Sequence, residues 1–272
     1  MASSDIDRIF AGSIPKLYDT YLVPLIFEPY ALDLANRLGS RAVSRVLEVA
    51  AGTGAVTRAL ASTLPESVEI IATDLNQDML DEASLVGTKR PVEWQEADAM
   101  DLRFPDESFD AVLCQFGVMF FPDRVKAFSE VHRVLKPGGV FIFNTWDEIK
   151  DNEFANTVTV ALEPLFPGDP PRFLARRPHG YHDRRVIEQD LSNGGFARSP
   201  RVDVVAARSR ATSPRIPAMA YCQGTPLRAE IESRDPKGLA EATDVAAEAI
   251  AKKFGRSAVD GKMQALIVTV ES

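Results

Sequence analysis

Residues 46–55 read Val46-Leu47-Glu48-Val49-Ala50-Ala51-Gly52-Thr53-Gly54-Ala55. A short apolar run ends here at a turn of small residues, and a sequence that can begin a helix follows. Glycine and alanine let the backbone come close to a ligand, and the helix N-terminus offers unpaired N–H groups with partial positive charge. The stretch therefore predicts a strand–loop–helix junction that binds something small and polar.

Strands and helices alternate along the chain after this junction. Strands are predicted at 45–50, 68–73, 91–96, 109–115 and 139–146, and the helices between them at 55–64, 76–86 and 123–135. This spacing is typical of βαβ units, and so of a mostly parallel sheet with helices on both faces. Further strands at 200–211 and 262–270 would complete a seven-stranded, Rossmann-like α/β fold.

The composition argues against several classes of function. The 272 residues carry a net charge of -8, and a negative field opposes binding of nucleic acid or of an anionic membrane. No run of about 18 apolar residues is present, so no membrane span is expected. Two distant cysteines and no clustered histidines and acids predict no metal site. Without a signal-peptide pattern, we expect a soluble cytoplasmic protein with a small-molecule partner, either a monomer or a homodimer.

Acidic residues follow two of the predicted strands, where an open parallel sheet binds its ligands. Asp74 ends the second strand, and its carboxylate can accept hydrogen bonds from a ribose diol or cap the helix that begins near Asn76. Asp98 and Ala99 follow the third strand and can read the edge of an adenine, although a turn-forming aspartate is the alternative. The apolar run 116–120 after the fourth strand fits either a wall beside an apolar substrate or core packing.

A dinucleotide-binding enzyme is the obvious competitor. Its G-x-G-x-x-G fingerprint needs a third small residue for close packing of the helix. Here Gly52 and Gly54 are followed by Thr57, so the match is only partial. An NAD(P)-dependent oxidoreductase therefore stays the alternative to the interpretation that follows.

Five ordered motifs resemble those of class I S-adenosylmethionine-dependent methyltransferases. They are Glu48-Val49-Ala50-Ala51-Gly52-Thr53-Gly54, Asp74, Asp98-Ala99, Phe109-Asp110-Ala111-Val112 and Arg133-Val134-Leu135-Lys136-Pro137-Gly138-Gly139. The likeness covers roughly residues 40–146 and is strongest to the ubiquinone/menaquinone-biosynthesis-type branch. It implies S-adenosylmethionine as cofactor and S-adenosylhomocysteine as product, but it does not name the acceptor. A non-catalytic module that binds the cofactor also fits.

The resemblance assigns roles to individual residues. The backbone of Ala50, Gly52 and Gly54 would face the methionine part of the cofactor, and Glu48 would organise the loop or receive the amino group. The remaining assignments are Asp74 to the ribose hydroxyls, Leu75 and Met79 to the flanks of the adenine, Asp98 and Ala99 to its edge, and Gln115 to the methionine part. Ala50 replaces a glycine common in the family, and we expect it to keep a negative φ.

The segments outside the core are expected to bind the acceptor. In residues 14–38 the helical pattern should be broken by Pro15, Pro24 and Pro29 into two or three short helices, and Tyr21 on their aromatic face is a candidate lid residue at the cofactor. We divide the chain into an N-terminal helical lid (1–39), an S-adenosylmethionine-binding core (40–149), a substrate-cap insertion (150–195), and C-terminal strands and helices that complete the same sheet (196–272).

Methyl transfer does not require a base when the reactants are well aligned, but a hydroxyl acceptor would benefit from one. His179 and His182 flank Tyr181 in the irregular region after the fifth strand, and they are the candidates for this role. Ordinary loop histidines are the alternative. His132 lies within a predicted helix and is interpreted as structural. An apolar pocket near Phe116 would favour a small lipid-like, aromatic or polyketide-like acceptor.

Overall fold

A computed structural model describes residues 12–39 and 41–272 of the chain. Its strands are β1 (Arg45–Val49), β2 (Glu69–Asp74), β3 (Glu93–Glu96), β4 (Phe109–Gln115), β5 (Leu135–Trp146), β6 (Arg201–Ala211) and β7 (Val259–Glu271). They form one seven-stranded sheet in the order β3-β2-β1-β4-β5-β7-β6. The predicted seven-stranded α/β sheet is confirmed.

The first five strands of the sheet are parallel to one another, and β7 is not. Parallel pairs join β1 to β2 and to β4, β2 to β3, and β4 to β5. The backbone of Ser272 donates to Gly139, whereas the backbone of Asp147 donates to Gln264. Because residue numbers fall along β7 as they rise along β5, these two strands are antiparallel.

Helices follow the strands in the predicted alternation. The longer ones are Glu28–Gly39, Ala55–Thr63, Gln77–Val86, Arg124–Val134, Glu153–Leu162, Arg184–Asn193, Arg215–Gln223, Leu227–Arg234 and Leu239–Phe254, with one further turn at Phe173–Arg176. The first of these packs on Ala55–Thr63, and Arg124–Val134 packs on Arg184–Asn193. Gly224-Thr225-Pro226 separates the helix Arg215–Gln223 from the helix Leu227–Arg234.

The N-terminal segment differs from its prediction. Three helical segments follow one another without a break: an α-helical turn at Ile14–Leu17, a π-helix at Tyr18–Phe27, and the α-helix at Glu28–Gly39. Pro24 lies inside the π-helix, so the predicted break there is wrong. The wider turn of a π-helix makes room for a ring that would clash with the preceding turn of an α-helix.

The start of β5 also differs from its prediction. The strand was expected at residue 139, but Leu135 already pairs with Phe109. The register then shifts, so that Val140 pairs with Ala111, and Gly138 takes a φ of +76° in the intervening bulge. The Pro-Gly-Gly sequence therefore makes a bulge within the strand instead of a turn before it.

The chain divides into two compact units. The helical unit comprises Met1–Phe27 (described from residue 12), Trp146–Gly180 and Ala206–Ala265. The sheet unit comprises Glu28–Thr145, Tyr181–Val205 and Leu266–Ser272. Our four-part division of the sequence stays a prediction, and the part of its lid at residues 1–11 lies outside the described residues. Within the described ranges, no helix has the length and apolarity needed to span a bilayer.

Side chains at the centre of the sheet unit form its core. Val46, Leu47, Val112 and the Phe141–Phe143 segment are fully buried, which explains why the central strands are continuously apolar. Phe128 of the helix Arg124–Val134 packs against this segment, with its ring centroid 5.7 Å from that of Phe141. Each such side chain contributes about 1.5–3 kcal/mol to stability, so the core holds the carboxyl ends of the strands in fixed positions.

Candidate functional site

The order of strands places the end of β1 beside the end of β4. From β1 the chain continues outward to β2 and β3, and from β4 it continues in the opposite direction to β5. Ligands of open α/β sheets bind at such a switch point, beyond the carboxyl ends of the strands. The loops at 50–54 and 115–120 meet there.

The loop at 50–54 is held in an unusual backbone conformation. Gly52 has a φ of +57° and Gly54 a φ of +83°, values that suit glycine. Gly54 is also the N-cap of the helix Ala55–Thr63. A Cβ built on it would lie 2.7 Å from Cη2 of Trp94, so this position needs glycine for close packing as well as for its φ. The result is a tightly packed loop that leads directly into a helix N-terminus.

Ala50 corrects one expectation. Its φ is +54°, in the left-handed region, and not negative as predicted. Its Cβ lies close to Gly117 in the loop after β4, because a Cβ built on that glycine would be 2.5 Å from it. The backbone of Ala51 next to it donates to Thr73 on β2 at 2.9 Å. The sharp turn after β1 therefore imposes the conformation, and alanine adopts it under strain.

Glu48 is buried in β1, with 1% of its surface exposed. One of its carboxyl oxygens, Oε2, lies 2.5 Å from the hydroxyl of Thr57, which donates to it. Burial raises the pKa of Glu48 to about 8, because a desolvated carboxylate is unfavourable. Thr57 occupies the third position of the partial glycine fingerprint, and its hydroxyl donates a hydrogen bond to the carboxyl group of Glu48.

Asp74 connects the end of β2 to the glycine loop. Its Oδ2 accepts from the backbone of Gly52 at 2.8 Å, and its Oδ1 accepts from the backbone of Asn76 at 2.8 Å. Burial raises its pKa, against these hydrogen bonds. Its Oδ1 also accepts from Nδ2 of Asn76 at 3.3 Å. The carboxylate thus fixes the loop and the entry to the next helix together.

A cavity of about 420 Å³ opens beside the ends of β2 and β3. Its walls are Leu75, Gln95, Glu96, Ala97, Asp98, Asp101 and Arg103. Leu75 is 45% exposed, so its side chain is accessible from this cavity. Asp98 forms a turn, because its Oδ1 accepts from the backbone of Met100 at 2.8 Å. The structure thus brings two of the predicted adenine-binding residues around one space.

Met79 and Ala99 are not walls of that cavity. Met79 is buried, and its Cε would lie 3.5 Å from a Cβ built on Gly52, so it supports the glycine loop from behind. Ala99 is buried as well, with 8% exposed.

Three buried polar atoms near the switch point have no hydrogen-bond partner within residues 12–39 and 41–272. They are Thr53 Oγ1, Gln115 Oε1 and Asn144 Nδ2. Native proteins rarely leave such atoms unsatisfied, and a water, an ion or a ligand then completes them. Gln115 was predicted, whereas Thr53 and Asn144 were missed. A polar residue within the apolar run of β5, Phe141-Ile142-Phe143-Asn144, was the signal that could have found Asn144.

The two candidate bases belong to different units of the chain. His179 belongs to the helical unit and His182 to the sheet unit. His179 is buried, and its Nδ1 lies 2.8 Å from the carbonyl oxygen of Asp147. A carbonyl only accepts, so Nδ1 carries a proton in this contact.

His179 lies at one end of a row of aromatic rings in the helical unit. Its ring centroid lies 5.9 Å from that of Trp146, which is 6.2 Å from that of Phe27, and Tyr18 stacks on Phe27 at 5.0 Å. Tyr21 also lies in this unit, so its role at the cofactor stays a prediction. His132, in contrast, packs edge-on against Phe196 at 5.0 Å, as a structural residue does.

Comparisons with known proteins agree with this geometry. A family model described as a methyltransferase domain matches residues 47–143, which include the glycine loop, Asp74, Asp98 and Gln115. The ubiquinone/menaquinone biosynthesis C-methyltransferase UbiE of Ectopseudomonas mendocina is 31% identical over 206 residues, 71% of this chain and 76% of that protein. Its counterpart from Pseudomonas fluorescens is 36% identical over 186 residues, 64% and 72% of the two chains.

Solved structures support the fold. The YcgJ protein of Bacillus subtilis superposes with a TM-score of 0.57 at 22% identity, over 90% of this chain and 98% of that one.

Proposed function

Because this chain belongs to the class I S-adenosylmethionine-dependent methyltransferases, in their ubiquinone/menaquinone-biosynthesis-type branch, we propose that it methylates a small, rather apolar or aromatic acceptor. The observation that carries the proposal is the pair of loops at the switch point. One presents a glycine backbone at a helix N-terminus, and the other adds the apolar residues Phe116, Val118 and Met119.

The residues at the switch point fit S-adenosylmethionine. The glycine loop leads into a helix N-terminus, where partial positive charge favours a carboxylate, and Thr53 Oγ1 is a buried atom without a partner among the described residues. Asp74 would accept from a ribose hydroxyl at Oδ2. When bound, the cofactor supplies a methyl group activated by its sulfonium.

Different residues at the carboxyl ends of the strands would bind different parts of the cofactor. Ala50, Gly52 and Gly54 would hold the methionine part together with Glu48. Asp74 would bind the ribose. Leu75 and Asp98 would contact the adenine at the cavity beside β3, with Met79 and Ala99 supporting it from within. This arrangement orients the reacting methyl group, which can supply much of the rate without a base.

One comparison favours an aromatic acceptor. The relatives named above are called C-methyltransferases of ubiquinone/menaquinone biosynthesis, which favours a carbon atom of an aromatic acceptor as the methylated position. His179 and His182 stay the candidate bases for activating such a ring.

Calorimetric titration tests the cofactor, and a labelled methyl donor tests the acceptor. We expect S-adenosylmethionine and S-adenosylhomocysteine to bind and NADH not to bind. Tritiated S-adenosylmethionine should then label one of a panel of phenols and reduced quinones, but not tRNA. Binding of NADH alone would favour the oxidoreductase, and cofactor binding without transfer to any acceptor would favour a non-catalytic module.

A further inference from the structure

Asn144 is a fully buried polar residue near the end of β5. Its Oδ1 accepts from the backbone of Phe116 at 2.8 Å, and Phe116 has a φ of +50°. Since that partner is a donor, it fixes which end of the amide is oxygen. The amide nitrogen, Nδ2, therefore points elsewhere, and it has no partner among the described residues.

Gln115 stands beside Asn144 on the neighbouring strand. The two residues are register partners of β4 and β5, so their side chains leave the same face of the sheet about 5 Å apart. Gln115 Oε1 is buried without a partner within the described ranges. The end of β4 thus offers an unpaired acceptor, Gln115 Oε1, and the end of β5 an unpaired donor, Asn144 Nδ2, among the described residues. A direct hydrogen bond between the two side-chain amides would have satisfied both atoms.

A single hydroxyl group complements this pair. A hydroxyl donates one hydrogen bond and accepts others, so it can donate to Gln115 Oε1 while it accepts from Asn144 Nδ2. An ammonium group could satisfy only the oxygen, and a carboxylate could satisfy only the nitrogen. The pair therefore selects a neutral hydroxyl over either charged end of an amino acid.

The position of the pair in the sheet indicates which ligand carries the hydroxyl. Asp74 and the cavity at Leu75 and Asp98 lie at the ends of β2 and β3, on one side of β1. Gln115 and Asn144 lie on the other side, at the ends of β4 and β5. A cofactor that places its nucleoside at β2 and β3 leaves β5 to the molecule that receives the methyl group.

We propose that Gln115 and Asn144 together bind a neutral phenolic or enolic hydroxyl of the methyl acceptor. This inference rests on the proposed function. Gln115, which the sequence assigned to the methionine part, serves the acceptor instead, and the buried ring of Phe116 lies next to the pair in the chain. Asn144 thereby binds substrate with one end of its amide and holds the turn at Phe116 with the other.

A matched pair of probes tests the hydroxyl. Binding of 2-naphthol and of 2-methoxynaphthalene is measured by fluorescence with saturating S-adenosylhomocysteine. The methyl ether keeps the ring and the acceptor oxygen but cannot donate to Gln115. We expect the wild type to bind 2-naphthol about fivefold tighter than the ether, the range of a neutral hydrogen bond.

Two variants then test the residues. Asn144→Asp keeps the oxygen that accepts from Phe116 and removes the donor when its carboxyl is ionised. Gln115→Met removes the acceptor at similar size and decides where the buried carboxyl stays protonated. In each, the advantage of 2-naphthol should fall below twofold, while the Kd of S-adenosylhomocysteine stays within twofold of wild type. Asn36→Asp, at an exposed site on the helix Glu28–Gly39, is the charge-matched control and should keep the full advantage. If Asn144→Asp does not fold, Gln115→Met decides alone.

Other outcomes overturn the inference. Variants that lose affinity for S-adenosylhomocysteine but not for 2-naphthol would assign the pair to the amino-acid end of the cofactor. A wild type that binds both probes equally, or neither, would also exclude the hydroxyl site, while leaving the methyltransferase function intact. A wild type that binds no S-adenosylhomocysteine would instead overturn the proposed function, and this inference with it.

Discussion

Ala50 carries a side chain at a backbone conformation that favours glycine, with its φ at +54°. Replacing it by glycine removes a steric cost of about 1–2 kcal/mol, part of which the greater freedom of the unfolded chain offsets. We therefore expect Ala50→Gly to raise the free energy of unfolding by about 1 kcal/mol in urea titrations. Equal or lower stability would show that contacts of the methyl group outweigh its strain.

Gly117 faces that methyl group from the loop after β4. A Cβ on it would lie 2.5 Å from the Cβ of Ala50 and 2.7 Å from the sulfur of Cys114. Gly117→Ala should therefore destabilise the protein by about 1–3 kcal/mol, and Ala50→Gly in the same chain should recover part of the loss. Urea titration of the two single variants and the double variant measures the coupling.

The control for this cycle is Gly39→Ala, where the nearest atom to the new Cβ is 3.6 Å away. We expect it to be tolerated in both backgrounds. Strictly additive effects of the changes at positions 50 and 117 would mean that the two loops do not constrain each other.

Glu48 should make stability depend on pH. Its pKa is about 8 in the folded protein because it is buried, against about 4.3 in an unfolded chain. Between these values the folded state holds a proton that the unfolded state has released, so stability falls as pH rises and levels off above pH 8. Glu48→Gln removes this fall, and its advantage over wild type should grow by about 3 kcal/mol from pH 5 to pH 8.

Urea titrations at four pH values across that range measure the effect. Glu66→Gln removes a carboxyl group from an exposed site, and its difference from wild type should stay nearly constant. A Glu48→Gln advantage that is equally constant would mean that the carboxyl is ionised in the folded protein.

The positions of single residues were predictable where the type of side chain and its place at a strand end were sufficient. Asp74 and Asp98 follow from acidic residues at strand ends, and the structure places them at the carboxyl ends of the neighbouring strands β2 and β3. The φ of Ala50 was not predictable, because alanine alone carries no signal for a left-handed turn. That Asn144 Nδ2 lacks a partner among the described residues was also not predictable, because it depends on the hydrogen bond that Oδ1 accepts from Phe116.

At the scale of elements, Asp110 ties together the starts of three strands. Its carboxylate accepts from the hydroxyl of Ser44 at 2.7 Å and the backbone of Arg45 at 2.8 Å, before and in β1, and from Lys136 in β5 at 2.6 Å. Charge-assisted bonds of this kind contribute about 1.5–3 kcal/mol. We expect Asp110→Asn to lower the free energy of unfolding at pH 7 by about 2 kcal/mol.

The same contact predicts a pH dependence of opposite sign to that of Glu48. Partial burial works to raise the pKa of Asp110, but Lys136, Ser44 and the backbone bring it well below its usual range. The stabilisation is therefore present above about pH 4 and is lost as pH falls below that value. Urea titrations at pH 7 and pH 3 should show the Asp110→Asn penalty shrinking, and a penalty that grows in acid would contradict it.

Elements were predictable where hydrophobic periodicity is strong, and less so where proline and glycine intervene. The strands and helices of the sheet agree with prediction to within a few residues, because burial dictates their pattern. Pro24 and the Pro137-Gly138-Gly139 sequence were expected to end elements, yet each lies within one. Both elements absorb the irregularity by a change of backbone hydrogen bonding, in a π-helix and a bulge, which local sequence does not encode.

At the scale of the whole molecule, a net charge of -8 should affect the affinities for the methyl donor and for its product differently. S-adenosylmethionine carries one more positive charge than S-adenosylhomocysteine, so the negative field favours it. Raising the salt from 20 to 500 mM shortens the screening length from over 10 Å to below 5 Å. We expect the Kd of S-adenosylmethionine to rise about two- to fivefold more than that of S-adenosylhomocysteine over this range.

Calorimetric titrations of both ligands at the two salt concentrations check this result. Sinefungin, an analogue that carries an ammonium group in place of the sulfonium, should follow S-adenosylmethionine. Equal salt dependence of all three ligands would assign their discrimination to local contacts alone.

The place of β7 between β5 and β6 has a consequence for synthesis on the ribosome. Residues 147–258 separate the end of β5 from the start of β7, and at roughly 5–20 residues per second they take about 6 to 22 seconds to translate. During this interval the apolar edge of β5 has no neighbour, and β6 has no strand to join. Unpaired edges invite pairing with other chains, so the nascent protein is most exposed to aggregation, and most in need of a chaperone, just before its last strand emerges.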